Sequence, residues 1–379
     1  VSSIQTDPVA GDLYVGLMSG TSVDAIDSAL VRCDGETIEL LDTHLHPIPP
    51  ETREAIAALC HSGADEIERM GVLDRELGSL FADAALALLL GSDRAPADIR
   101  AIGSHGQTIR HRPPSGGAAG EASFSLQIGD PNTIAERTGI TTVADFRRRD
   151  VAAGGEGAPL APAFHAAALS REGIDRAIVN IGGIANVTLL RGGTLHAGFD
   201  TGPGNTLLDQ WVWRHRGESH DRNGQWSAGG EVVAALLERL LEHPYFDLTG
   251  PRSTGREVFN LAWLENCLDS LPAARPRDVQ ATLAELTATG IARAIAASEL
   301  RVTEAYVCGG GAHNSDLMRR LRRKLAPASL SSTADIGIDP DWVEAATFAW
   351  LAHRTLLGMA GNLPQVTGAR GRRILGGIY

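Results

Sequence analysis

LYVGLMSGTSVD (Leu13–Asp24) is an apolar run that breaks into a glycine-and-hydroxyl turn, and the same design recurs twice along the chain. AIVNIGGIANVT spans Ala177–Thr188, and AYVCGGGAHN spans Ala305–Asn314. Glycine lets backbone N–H groups come close to a phosphate, and Ser or Thr adds hydroxyl donors. One such turn usually does no more than reverse the chain. Three of them, spread over both halves of the sequence, point to two lobes closing on one polyphosphate. None is a Walker A loop, since no GKS or GKT follows, and none has the GxGxxG spacing of a dinucleotide fingerprint.

Working outward, residues 13–18 and 28–32 read as a β-hairpin carrying the first glycine loop at its bend. Residues 38–45 suit a third strand, and 51–59 and 67–90 have helical periodicity. Strands follow at 99–104, 124–128 and 141–144, with a helix at 131–138 opened by Pro131. Residues 113–120 and 154–157 are glycine-rich loops, and the second leads into a helix at 162–169. After residues 171–173 the pattern restarts: strands at 177–181, 185–190 and 194–199, a long helix at 278–300, a strand at 304–308 and a helix at 342–357. Two hairpin-led units in tandem predict an α/β protein of two lobes, 1–172 and 173–341, with mixed sheets flanked by helices. The segment 342–379 is expected to pack back on the first lobe.

Composition narrows the function. A formal charge of −12 argues against a nucleic-acid surface, although it leaves room for a local basic pocket. Cys33, Cys60, Cys267 and Cys308 are far apart with no CxxC pair, so neither a zinc site nor a disulfide framework is indicated. VSSIQTDPVAGD lacks the features of a secretion signal, and no apolar run is long enough to span a bilayer. A cytoplasmic protein is expected.

In the first loop, Gly20, Thr21, Ser22, Val23, Asp24, Ala25, Ile26 and Asp27 are the candidate nucleotide contacts. Asp24 is a candidate partner for Mg²⁺, which prefers hard oxygen ligands and keeps several waters. Gly182 and Gly183 of the second turn and Gly309, Gly310, Gly311 and Asn314 of the third are further nucleotide candidates, as is Asn205. The third turn ends a strand and opens a helix, whose free N–H groups suit phosphate. FDTGPGN places Asp200 at the end of an apolar strand against a stiff Gly-Pro-Gly turn, a setting for a general base or for an ordinary cap. DFRRRD (Asp145–Asp150) concentrates three arginines in an acidic chain, a carboxylate or phosphate grip, with Asp150 as the rival base. Ser104, His105, Gln107 and Thr108 form a polar turn suited to sugar hydroxyls.

On these stretches, together with IGSHGQTIRH, ADFRRRDVAAGGEGAPLAPAFH, GPRSTGRE, WVEAATFAWLAHR and the closing LGGIY, the chain resembles the anhydro-N-acetylmuramic acid kinases over nearly its whole length. That family is a branch of the actin- and hexokinase-like superfamily, so the resemblance implies two lobes of ribonuclease-H-like topology with an interdomain cleft. It implies an ATP- and Mg²⁺-dependent kinase that opens the 1,6-anhydro bridge of 1,6-anhydro-N-acetylmuramic acid with water and phosphorylates O6. The product is N-acetylmuramic acid 6-phosphate, an intermediate of cell-wall recycling. The family's general base matches Asp200, its substrate contacts match Thr108, Arg149 and Glu344, and its nucleotide loop matches Gly20–Asp27. Glu344 is further expected to help orient the water. Ala25 and Glu156 depart from the Gly and Gln usual there, and Met18 stands where many superfamily members carry Asp. The partners expected are ATP and an anhydrosugar, with a homodimer allowed and no nucleic acid or membrane. Competing readings are a kinase for another anhydrosugar such as levoglucosan and, from a different class, an actin-like nucleotide-dependent scaffold.

Overall fold

Alternation gives way to continuous burial in the first strand, where Tyr14–Met18 are all buried, and this marks a central strand covered on both faces. The computed structural model describes residues 11–379 apart from 21, 22, 36, 117–121, 249–251, 253, 256 and 257. Strand β1 (Asp12–Met18) pairs antiparallel with β2 (Ala25–Asp34), and β2 with β3 (Thr37–Pro47). Helices α1 (Pro50–Leu59) and α2 (Glu66–Gly91) follow. Leu73, Leu77, Phe81, Ala84, Ala85 and Leu88 recur at helical spacing on α2 and bury against Val15, Leu17, Ile26 and Leu30. Next come β4 (Ile99–Ser104), β5 (Gln107–Arg112), β6 (Phe124–Ile128), α3 (Pro131–Thr138), β7 (Thr142–Ala144), α4 (Arg148–Ala152) and α5 (Ala161–Ala168). Strands β5 and β6 form a separate antiparallel pair. Helix α3 is bounded as its sequence dictates: the Asp130 carboxylate accepts from the Asn132 and Thr133 N–H groups, and Gly139 closes it with φ 69°.

The second unit, Leu169–Asp341, repeats the plan. It holds β8 (Arg176–Ile181), β9 (Ile184–Arg191), β10 (Thr194–Pro203), α6 (Thr206–Arg216), α7 (Gln225–Ala228), α8 (Ala234–Leu241), α9 (Leu261–Leu268) and α10 (Pro276–Ala296). Strand β11 (Glu304–Cys308), α11 (Ser315–Leu325) and β12 (Ser329–Ser332) complete it. Helix α10 backs the sheet and is buried along most of its length. Burial pushes the Glu285 carboxyl up, but Lys324 and Arg320 of α11 outweigh it and hold the group below the ordinary carboxylate range. Arg320 also pairs with the buried Asp316 at 2.8 Å, so α11 is keyed to α10 by a small ion network.

The chain then returns to the first unit, which comprises Val1–Ala168 and Trp342–Tyr379. The returning elements are α12 (Val343–Leu356), α13 (Pro364–Thr367) and β13 (Gly377–Ile378). Helix α12 lies across β1 and β4 where Gly16 and Gly103 stand side by side in register. A Cβ on Gly16 would sit 1.8 Å from the Ala345 carbonyl oxygen, and one on Gly103 would sit 2.0 Å from that of Phe348. The two glycines are therefore the seat of the helix.

Among the described residues the sheets read β13-β7-β4-β1-β2-β3 and β10-β9-β8-β11-β12. In each, three consecutive strands are antiparallel and two further strands add in parallel on the side of the first, and in the six-stranded sheet β13 closes the edge antiparallel to β7. This is the ribonuclease-H-like order, present twice. No helix among the described residues is long and apolar enough to cross a membrane.

Candidate active site

Asp200 lies near the end of β10, and two segments of the second unit, one holding Tyr245 and the other Arg252 and Thr254, converge on it. Its backbone N–H donates to the Arg252 carbonyl at 3.0 Å. Its carbonyl accepts from the Tyr245 hydroxyl at 2.8 Å and from Arg252 Nε at 3.1 Å. Its Oδ2 accepts from the Thr254 N–H at 3.0 Å. The Arg252 guanidinium is held in turn over the rings of Phe199 and Tyr245, at 5.0 and 5.5 Å. Burial, reinforced by the Asp200 charge, raises the Tyr245 phenol and keeps it a donor. The ladder shifts register between Asp200 and Gly202, as befits a strand end that aims a side chain. Only the Asp200 half of this arrangement was legible in advance; Arg252 and Thr254 lie in the GPRSTGRE string, and Tyr245 carries no local signal.

The glycine turns of this unit nest together. Gly204 and Thr206 donate their N–H groups to Gly183 O, and Asn205 donates its own to Gly182 O. A Cβ on Gly204 would stand 2.4 Å from Gly182 O, so no other residue fits. Asn205 Nδ2 also donates to Ile181 O, so its side chain braces the turn. In the third turn the long helix does not begin at the glycines. A short 3₁₀ turn, Gly310–His313, intervenes, and Asn314 caps α11 by accepting from the Leu317 N–H. Asn314, expected as a nucleotide contact, is buried and spends its amide oxygen on that cap.

In the first unit, Gly20 accepts from the Val23 N–H at 3.3 Å, and Val23 adopts φ 57°, a strained value for a β-branched residue. Thr21 and Ser22 lie outside the described residues. Ala25, Ile26 and Asp27 belong to strand β2 and not to the loop. Ile26, expected within the nucleotide loop, has its side chain fully buried in the core. Asp24 is exposed and meets Arg53 at 3.3 Å. No cluster of three metal-ligating side chains occurs among the described residues. Ser19 is buried and donates to Gln107 Oε1 at 2.7 Å, tying the first loop to β5.

The polar turn after β4 is built around Arg147. Arg147 Nε can only donate, and it meets His105 Nε2 at 2.9 Å, so His105 carries its proton on Nδ1 and gives it to Gly106 O. Burial, and then the Arg147 charge, hold His105 well below its ordinary pKa, a neutral ring packed on Phe348. Burial draws Arg147 itself down to about 10 against the opposing charges of Glu344 and Asp150. Ser104 keeps a buried hydroxyl with no partner among the described residues. Thr108 is half-buried and accepts from Gln127 Nε2 at 3.0 Å, while Arg149 and Glu344 are exposed.

Asp150 is a correction. Expected at the substrate, it is wholly buried, and its carboxylate accepts from the Gly157 N–H, Asn362 Nδ2 and Thr367 Oγ1 at 2.9, 2.7 and 2.8 Å. Its carboxylate is thereby the clasp between α4, the glycine-rich loop and the returning segment. Asp150→Ala is expected to destabilise the protein by about 3 kcal/mol or more, because buried donors lose their acceptor. A lowered melting temperature checks this; a rise in KM at unchanged stability would return Asp150 to the substrate.

The sequence pattern of the anhydro-N-acetylmuramic acid kinase family matches residues 12–379. The chain is 50% identical over 366 residues to the anhydro-N-acetylmuramic acid kinase of Pseudomonas savastanoi pv. phaseolicola, covering 97% of this chain and 98% of that protein. It is 51% identical over 367 residues to that of Pseudomonas fluorescens, covering 97% and 99%. Among solved structures it is similar to component A of the (R)-2-hydroxyglutaryl-CoA dehydratase of Acidaminococcus fermentans, at 12% identity and TM-score 0.47 over 89% of this chain and 96% of that one. With a pattern match that runs from β1 to the last residue and relatives at half identity over nearly their full length, the chain belongs to the anhydro-N-acetylmuramic acid kinase family.

Proposed function

We propose that the chain is an ATP-dependent kinase that opens 1,6-anhydro-N-acetylmuramic acid with water and phosphorylates its O6, with Asp200 as the general base. The observation that carries this reading is the Asp200 carboxylate, pinned by the Thr254 N–H on a strand end itself fixed by Tyr245 and Arg252. It supports the reading because the chain is half identical to proteins named for that kinase activity.

The bond changes balance as follows. Water gives a proton to the Asp200 carboxylate as its oxygen bonds to C1. The C1–O6 bond breaks through an oxocarbenium-like state, and its electron pair stays on O6. O6 bonds to the γ-phosphorus, the bond from phosphorus to the β,γ-bridging oxygen breaks, and ADP leaves. The transferred phosphoryl group takes the place of a general acid, so a single base suffices. Phosphoryl transfer itself needs positioning and charge neutralisation. The glycine turns offer close backbone approach, and Thr21 and Ser22 offer hydroxyls. Magnesium bound with the triphosphate would neutralise its charge, and the exposed Asp24 carboxylate, which meets Arg53 at 3.3 Å, would offer it an oxygen from the first loop. Thr108 and Arg149 are assigned to the sugar, and Glu344, in the first turn of α12, to the water.

An ADP-release assay on 1,6-anhydro-N-acetylmuramic acid, with mass detection, should give a product gaining both phosphoryl and water. ATP turnover at full rate without sugar would reject the kinase. Arg149→Ala is expected to raise KM for this sugar about tenfold with a smaller change in kcat, as for loss of a charge-assisted hydrogen bond. An unchanged KM removes Arg149 from the site.

A further inference from the structure

The side chain opposite Thr108 on the neighbouring strand is Gln127. Its amide has two protons and both are committed: Nε2 donates to Thr108 Oγ1 at 3.0 Å and to Ser125 Oγ at 2.8 Å. Ser125 is buried, and its hydroxyl lies 2.9 Å from Nδ1 of its own cross-strand partner, His111. Burial, then the charges of Arg147 and Arg112, hold His111 down to about 4, so at neutral pH its ring is uncharged. Ser125 Oγ and Thr108 Oγ1 therefore each accept one proton of the Gln127 amide. The Thr108 oxygen has accepted, and its own hydrogen is left to point away from Gln127.

That polarity is held at a cost. Gln127 Oε1 is buried and has no partner among the described residues. A residue that merely braced β5 against β6 would do so more cheaply with an apolar side chain, since an unpaired buried oxygen is disfavoured.

We propose that Gln127, backed by Ser125 and His111, is a positioning residue that presents the Thr108 hydroxyl as a donor, and so selects sugars whose substituent ends in a carbonyl or carboxylate oxygen. The proposal rests on the assignment of Thr108 to the sugar. Gln127→Glu reverses the polarity at nearly constant shape, because a carboxylate accepts from the hydroxyl it faces. Gln127→Met removes the donors and keeps the volume.

The test is steady-state kinetics of the full chain on 1,6-anhydro-N-acetylmuramic acid and on levoglucosan, which carries hydroxyls but no carbonyl or carboxylate. Melting temperatures of each variant verify folding. The expected result is a KM for the first sugar raised about tenfold by Gln127→Glu and less by Gln127→Met, with kcat within about twofold. The KM for levoglucosan, or its inhibition constant where turnover is slow, should stay within about twofold. Gln127→Glu should add no further loss on a Thr108→Val background. Equal losses on both sugars, or additive losses in the double variant, would overturn the proposal. Thr108→Val raising KM while Gln127→Glu does not would sink the relay alone. Thr108→Val without effect on KM would sink the sugar-contact assignment and the relay together.

Discussion

Asp200→Asn should fold normally and turn over about 10²–10⁴ times more slowly, the usual loss when a general base is removed. Folding is spared because the backbone contacts that fix the strand end do not need the side-chain charge. The Tyr245 hydroxyl and Arg252 Nε bind the backbone carbonyl, and the Arg252 carbonyl binds the backbone N–H. The Thr254 N–H needs only an acceptor oxygen, which the amide retains. What the amide cannot do is take a proton from water. KM for the sugar should change little, since the loss falls on the bond-making step and not on binding. Burst-free kinetics, an unchanged melting temperature and a depressed kcat are the measurements, and near-normal turnover would remove Asp200 from the chemistry.

Gly16→Ala or Gly103→Ala should cost the first unit about 3 kcal/mol or more, at the upper end of overpacking effects. The obstruction is backbone, not a side chain that can rotate away: a Cβ would stand 1.8 or 2.0 Å from a carbonyl oxygen of α12. The helix must lift off the sheet, and the contacts of Phe348 with His105 and Phe146 go with it. Because Glu344 sits in the first turn of that helix, kcat should fall along with stability. Melting temperature and activity measured together check this, and wild-type stability in both variants would contradict the close approach. Such a loss is a large fraction of the stability a domain normally has.

These two cases show what the sequence could and could not convey. The strand–turn pattern around residues 13–24 and 177–188 was readable because hairpins are local and their apolar alternation is written in consecutive residues. The long helices were readable for the same reason; Glu66–Gly91 and Pro276–Ala296 lie close to their expected bounds. Asp150 was misread because its partners, Asn362 and Thr367, lie 212 and 217 positions away, and the adjoining arginines suggested a surface. Ile26 was misread because the loop was taken to run on after Asp24, whereas β2 begins at Ala25. Helices α8 and α9 were not anticipated. Their faces bury in a cluster shared with α6, α10, Tyr245 and Phe259, so no single window of sequence announces them. Asp200 and Thr108, proposed as base and sugar contact, were singled out by their polar turns and by the family resemblance, which supplied their roles. Tyr245 and Gln127 contact partners 45 and 19 positions away, and such pairings leave no local mark.

The return of residues 342–379 to the first unit also bears on biogenesis. On a ribosome the strands β1 and β4 emerge early, but the helix that seals their glycine seam is translated only after all of Leu169–Asp341. The inserted unit has its whole complement of strands to hand and can complete its core first, while the earlier-made sheet waits with an apolar flank uncovered. The usual amino-to-carboxyl order of domain folding is thereby inverted. A nascent chain arrested before α12 is the species in which a chaperone would find the most to hold.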